Sequence, residues 1–587
     1  MVVVTIIQST SHATECTSYI YFAPQTGCLL LFWQCSFRVM NASQPPATDS
    51  VPTSSPTSAP VSPDENGADT APLVAQVRER IGRPVDRWAV VATLEAMGLR
   101  DTDARHRYGA PDLFALGDQL YPHLCTDASP PLSSQAPPQR WKSTLHTAWS
   151  YARGLLFVAP MALQIAAVLL LGYSLWAWLY FTETQATVVA LGTLLSFIVT
   201  GGFVQSIGRE GHLYLAQNNA RLAHRACRRL LGLGMLAVGG VTLFFGVTNA
   251  IFPYYPFSLM GISALYFVLL SALWLSLSLL YVLDRLGTIL GVTLLGIVPV
   301  VAIMTYTEWG IHAAHGLGLL LAVGLAYGLG MLDLHRRARQ SSSTTNDTLP
   351  PLSIQIHSLR TYFAYGVCFF TFLSADRVIA WSVAMPEPPP YIIWFRTPYE
   401  LGIDWALLSL LLTLAVLQHT VQTLSGWMFP KGRPMTTPVD RAAARVKRFH
   451  LRQLGIVLGV GVASIMGTYY GVQTLEESSL LQGTPLLMDS PVTARVFWAA
   501  AFGYLFLAVG LHNLMVPLIL SRPGLSLRAF VYALGVNVAV GLVLSRGVQY
   551  EYAVFGLLAG GLTLAVLSFL WTRRFLDNFA YHYYAAY

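Results

Sequence analysis

Asp376 and Arg377 stand side by side in Leu359–Trp381, an apolar, aromatic-rich run long enough to cross a bilayer. At about 1.5 Å per residue, Asp376 falls roughly 24 Å beyond Arg360 along a helix, inside a hydrocarbon core of about 30 Å. A charge near the centre of that core costs about 3 kcal/mol or more, so it persists only against protein, water or an opposite charge. Neighbours in sequence point about 100° apart on a helix, so each member seeks a partner on another helix. Glu400 and Asp404, four apart and on one face of the next apolar run, are the expected partners of Arg377. Arg396 is a second cation nearby, just before Pro398. Two readings stand for this group. One is an outward-side polar cavity that binds substrate phosphate or sugar, or couples to H⁺ or Na⁺. The other is a buried salt-bridge pin between spans seven and eight.

Further polar residues lie in apolar surroundings. His512-Asn513 falls about 27 Å from the outer end of span ten, where an imidazole suits proton coupling or an interhelical hydrogen bond. Asn537 in span eleven and Gln205 near the inner end of span two suit hydrogen bonds between helices. His312 and His315, near the outer end of span six, are placed to face water; two His alone make no metal site. Gly201-Gly202 and Gly560-Gly561 follow no strand, so they read as close helix packing rather than phosphate loops. Pro160, Pro299 and Pro517 lie inside spans and are expected to kink or break them.

The elements that must position these residues are helices. The chain has 587 residues, 54% hydrophobic and 11% charged, against about 25% charged in soluble domains. Repeated apolar runs of about 20 residues make it an all-α polytopic membrane protein. Period-2 alternation, which a barrel needs, is absent. Twelve spans are expected, at 153–181, 186–208, 230–252, 257–283, 286–305, 309–332, 359–382, 402–428, 453–474, 494–520, 526–545 and 551–571. Lys and Arg in the short connections number 21 on one side and 3 on the other. That bias places the basic side and both termini in the cytoplasm, in the plasma (inner) membrane. The net charge of +7 is therefore topogenic and does not point to nucleic acid. The six Cys show no metal-ligand or disulfide spacing.

The spans divide into lobe 1 (151–332) and lobe 2 (359–572), joined by a cytoplasmic linker (333–358) and followed by a tail (573–587). The halves echo each other. Each has a long basic segment after its second span, Arg209–Arg229 and Lys431–Arg452, the latter reading as an amphipathic helix at the inner surface. Each joins its fourth and fifth spans by a short turn, YVLDRLG and LILSRPG. Such repeats mark transporters. Before the membrane, residues 1–71 read as disordered or as an early start, with Met40 an alternative to Met1. Residues 72–125 read as a small cytoplasmic domain of three short helices, with Trp88, Val91, Leu94 and Met97 on one face, Gly98 ending a helix and Asp101 capping the next; 126–150 is a linker.

Three pieces carry a resemblance: Leu194–Asn219, Phe372–Ser382 and Phe395–Leu412. With the six-plus-six architecture, the chain resembles the multidrug/oligosaccharidyl-lipid/polysaccharide (MOP) flippase superfamily, and within it the membrane transporters of Pel exopolysaccharide systems. The resemblance implies a flippase or exporter of polysaccharide or lipid-linked oligosaccharide, working by alternating access between two lobes in contact with membrane lipids. A secondary transporter of another small solute or drug is the second reading. A non-transporting partner that holds a cytoplasmic glycosyltransferase through residues 72–125 is the third. An integral glycosyltransferase needs an acidic site on a large outer loop, whereas the first outer connection here reads as Thr182-Glu183-Thr184. No catalytic group or cofactor is expected.

Overall fold

The computed structural model describes residues 70–81, 84, 86–125, 140–217, 219–340, 348–384, 391–428, 439–477 and 490–584. The question of Met1 or Met40, the linker at 126–139 and the outer-loop centres at 385–390 and 478–489 lie outside these.

The N-terminal appendage has four helices where three were expected: α1 (Ala71–Ile81), α2 (Arg87–Ala96), α3 (Asp101–Tyr108) and α4 (Leu113–Cys125). Leu73 and Val77, four apart, put α1 on a shared core with Val90, Leu94, Leu116 and Leu120. Asp86 caps α2 by accepting from the Ala89 N–H at 2.9 Å. Gly98 follows α2 with φ +87°, as its type demands. Asp101 is not the cap of α3. Asp103 accepts from the Arg100 N–H at 3.0 Å, and Asp101 instead accepts from Leu113 N–H at 3.0 Å, tying α3 to α4. Trp88 leaves the expected apolar face and is 47% exposed.

Among the described residues, twelve helices are long and apolar enough to cross a membrane, and the chain is a multi-pass membrane protein. Spans one to six are α5 (Arg140–Leu171), α6 (Glu183–Ala216), α7 (Ala220–Ile251), α8 (Phe257–Val282), α9 (Leu286–Tyr306) and α10 (Ile311–Gln340). Spans seven to twelve are α11 (Leu352–Trp381), α12 (Thr397–Met428), α13 (Val439–Glu477), α14 (Pro491–Ile519), α15 (Pro523–Gly547) and α16 (Val554–Asp577), the last preceded by a 3₁₀ turn at Tyr550–Ala553. A short α17 (Phe579–Tyr584) follows.

Packing repeats with a period of six spans. Spans two and four pack together, as do eight and ten; so do four with six and ten with twelve, five with six and eleven with twelve, and one with five and seven with eleven. The lobes meet where span two packs on seven and span one on eight, an arrangement unchanged when the lobes are exchanged. The short turns between fourth and fifth spans repeat in atomic detail. Asp284 and Ser521 are the two non-glycine residues with positive φ among those described, +59° and +56°. Arg285 N–H donates to Leu280 O at 2.9 Å and Arg522 N–H to Pro517 O at 2.8 Å, the same left-handed closure of a helix end.

Four expectations change. Span one stops at Leu171, because Gly172 takes φ +82° and Gln164 Oε1 accepts from Leu175 N–H at 3.0 Å, fixing a folded loop over 172–182. The first outer connection is that loop and not three residues. The described parts of the basic segments are not separate surface pieces: 209–229 continues the spans as α6 and α7, and 439–452 belongs to the 39-residue α13. Finally, Pro160, Pro299 and Pro517 do not break their spans: each lies within a helix that continues past it.

Candidate functional site

The costly charges of α11 are gathered inside lobe 2. Arg377 is wholly buried; its Nη1 donates to Glu400 Oε2 at 2.8 Å and its Nη2 to Asp404 Oδ1 at 3.3 Å. Glu400 and Asp404 share a face of α12, as their spacing requires. Trp381 Nε1 donates to Glu400 Oε1 at 2.9 Å, and the Tyr399 hydroxyl donates to Asp376 Oδ2 at 2.8 Å. Tyr504 of α14 lies beside Arg377 and closes the third side. Three carboxylates thus face one guanidinium, all four residues no more than 8% exposed. With every group ionised the cluster is two charges short of neutral. Buried charge on that scale is tolerated only with protons or cations to offset it. Asp376 Oδ1 and Asp404 Oδ2 make no hydrogen bond, so each has an open lone pair for one.

The cluster bridges α11 and α12 within lobe 2, the arrangement expected of a buried salt-bridge pin between spans seven and eight. Arg396 stands apart: its guanidinium lies 5.0 Å over the Tyr550 ring and donates to Val383 O, and burial pulls its pKa below the ordinary arginine range.

The other expected residues form separate ties. His512 donates through Nε2 to His450 O at 3.1 Å and stacks on that ring at 4.6 Å. Asn513 donates to Ser568 Oγ at 3.1 Å. Asn537 donates to Phe372 O at 2.9 Å, joining α15 to α11. His315 does not face water: it is buried, and its Nδ1 meets the Tyr266 hydroxyl at 2.6 Å, with His312 Nδ1 3.2 Å from the same oxygen.

Gln205 lies at the lobe interface, where α6 meets α11. It is buried, neither amide atom has a hydrogen bond, and its Cγ would lie 2.8 Å from a Cβ added at Gly366. Gly366 faces Gly201 so closely that this Cβ would stand 2.7 Å from the Gly201 carbonyl carbon. The contact of α6 with lobe 2 runs further in both directions. Gln355 donates to Glu210 at 3.2 Å, and Phe395 N–H donates to Thr187 Oγ1 at 3.2 Å. Beside it, the Tyr255 hydroxyl donates to Ile393 O at 2.8 Å; burial pushes this phenol up to about 12, so it stays a donor at neutral pH. Near the basic face, Tyr151 of α5 stacks on His419 of α12 at 4.1 Å.

Sequence reasoning missed Tyr399, Trp381, Tyr504, Glu210 and His419. The signal for the first two was present: Trp381 lies one turn beyond Arg377, and Tyr399 adjoins Glu400. Glu210 read as part of a solvated basic segment because its neighbours are Arg209 and His212.

This two-lobed bundle is a known fold. The chain is similar to a mutant of the Vibrio cholerae MATE transporter VcmN, with a TM-score of 0.51 at 13% identity over 74% of this chain and 97% of that one. It is similar to a MATE transporter in the straight conformation, with a TM-score of 0.50 at 12% identity over 74% and 96%. A MATE transporter in complex with MaD3S gives the same values. At such identities the likeness is one of fold. No family model matches the sequence, and comparison with curated proteins finds no match.

Proposed function

We propose that the chain is a transporter that moves its substrate by alternating access between lobes 1 and 2, with both termini on the cytoplasmic side of the inner membrane. The carrying observation is the cluster of Asp376, Glu400 and Asp404 around Arg377, buried in one lobe of a fold shared with MATE transporters. A proton or Na⁺ taken up at the open carboxylate oxygens changes the charge balance between α11 and α12. Because α11 also forms the lobe contact with α6, this gives the site a mechanical route to the interface. The proposed cargo is polysaccharide or lipid-linked oligosaccharide, supported by the three sequence pieces similar to Pel transporters. The test is export in cells and in proteoliposomes. Asp376→Asn and Arg377→Met, once shown to insert, should abolish export and accumulate polymer or lipid-linked precursor. Unchanged export in both sinks the role, and transport of drugs but not glycans shifts the cargo.

A second reading is favoured by the appendage. Trp88 and Phe114 are 47% and 50% exposed, their rings 5.6 Å apart, with Arg87 over the indole. An exposed aromatic pair with an Arg suits a protein partner, here a cytoplasmic glycosyltransferase. In its strong form the bundle then only anchors that enzyme. Trp88→Ala with Phe114→Ala should release the enzyme; if transport persists without it, the anchor role is secondary.

A further inference from the structure

The ends of α7 and α13 that carry basic residues are equivalent places, since these are the third spans of the two lobes. Each borders a cavity. At the first, Arg225, Arg228 and Arg229, from neighbouring turns of α7, converge with Gly232 and Leu349 around about 410 Å³. Arg225 and Arg228 are exposed. Arg229 is half-buried, and its Nη1 donates to Pro350 O at 3.2 Å, so the connection between the lobes orients it. Beyond the cavity α7 turns apolar: Leu236, Leu243 and Phe244 are 72%, 68% and 60% exposed. Gly232, Gly239 and Gly240 leave open space where a Cβ would stand.

A cationic cup that opens onto an exposed apolar strip fits a ligand with an anionic head and hydrocarbon chains. Arg forks bind phosphate oxygens in pairs, and basic pockets at the inner ends of membrane helices suit lipid headgroups. A soluble phosphate has no use for the strip. We propose that this is a binding site for an anionic phospholipid, its headgroup phosphate held by Arg225, Arg228 and Arg229 and its acyl chains lying along α7. The equivalent cavity of lobe 2, about 280 Å³, is lined by Lys447, His450, Leu451 and Arg573 among others. That lining brings one Lys and one Arg where the first cup brings three Arg, and Lys447 is held by Asp577 at 2.9 Å, so this second cup binds the same lipids more weakly.

The test uses the full chain in a neutral detergent, with phosphatidylglycerol, phosphatidylcholine or inorganic phosphate added and bound lipid counted by native mass spectrometry. Phosphatidylglycerol should be retained over phosphatidylcholine. Each charge near an anionic lipid is worth about fivefold, so Arg228→Gln, an exposed change that leaves the fold intact, weakens retention by about that factor. The triple variant Arg225→Gln/Arg228→Gln/Arg229→Gln weakens it by on the order of a hundredfold, while Lys447→Gln leaves the tightest lipid in place. Equal retention of the two lipids, no loss in the triple variant, or full displacement by inorganic phosphate at equal concentration overturns the proposal.

Discussion

Arg377→Met keeps an unbranched apolar stem and removes the cation from a site that is 0% exposed. Two ion pairs vanish, at 2.8 and 3.3 Å, and three carboxylates remain in place. At an effective dielectric near 20, a pair about 4 Å apart is worth roughly 4 kcal/mol. Sparing the guanidinium its desolvation offsets part of the two losses. Breaking buried pairs from one side costs about 3–5 kcal/mol in comparable cases. The apparent melting midpoint in detergent should therefore fall by more than about 5 °C, and transport in proteoliposomes should stop. Adding Asp376→Asn, Glu400→Gln and Asp404→Asn removes the stranded charges, and the midpoint should recover most of its loss. Transport should not recover, because no group is left to change its charge. A simple structural pin predicts that stability and transport return together. An Arg377→Met midpoint within about 1 °C of the parent would falsify the charge argument itself.

Gly366→Ala puts a methyl 2.7 Å from the backbone of Gly201; it should cost about 1–3 kcal/mol and force α6 from α11, which a cysteine crosslinking series across that contact reads directly. Ser521→Gly relieves a left-handed residue at φ +56° and should stabilise by about 1 kcal/mol, raising the midpoint; a fall would mean the Ser521 side chain holds the turn. His582 stacks on Phe575 at 3.8 Å, and burial, then Arg522, lowers its pKa. The neutral ring is the folded form, so docking of α17 is complete above the unfolded value near 6.5 and weakens as pH falls through the folded one. Limited proteolysis of the C-terminus should quicken at pH 5 relative to pH 8 in the parent, and show no such change in His582→Phe.

The fold was largely legible in the sequence because each span declares itself by length and apolarity, which the bilayer enforces on the backbone. The pairing of Arg377 with Glu400 and Asp404 was legible for a related reason: charges so costly in hydrocarbon must find one another, and only a few are within reach. What stayed hidden depends on tertiary contact. Glu210 and His419 sit among polar neighbours in sequence, and only the docking of α6 on α11 and of α5 on α12 buries them. The partners of Arg377 were legible, but not that they enclose it within lobe 2. A helix wheel shows which residues share a face, not whether that face meets its own lobe or the other. The loop over 172–182 was absorbed into span one because its Trp and Leu residues look like membrane; Gly172 was the signal that ended the helix.

The packing of the two lobes is repeated but their chemistry is not. Both lobes share their main contacts between spans and the same left-handed turn at Asp284 and Ser521. Yet lobe 2 buries an acidic cluster around Arg377, whereas the polar centre found in lobe 1 is Tyr266 with His312 and His315. Different buried groups mean that one chemical event, such as the arrival of a cation, acts on one lobe and leaves the other as a fixed counterpart. If that division is correct, Tyr266→Phe should alter the response of transport to pH while leaving its dependence on Na⁺ unchanged, and Asp404→Asn should change both. Identical profiles for the two variants would show that the lobes share one coupling centre, and that the departure from symmetry carries no separate role.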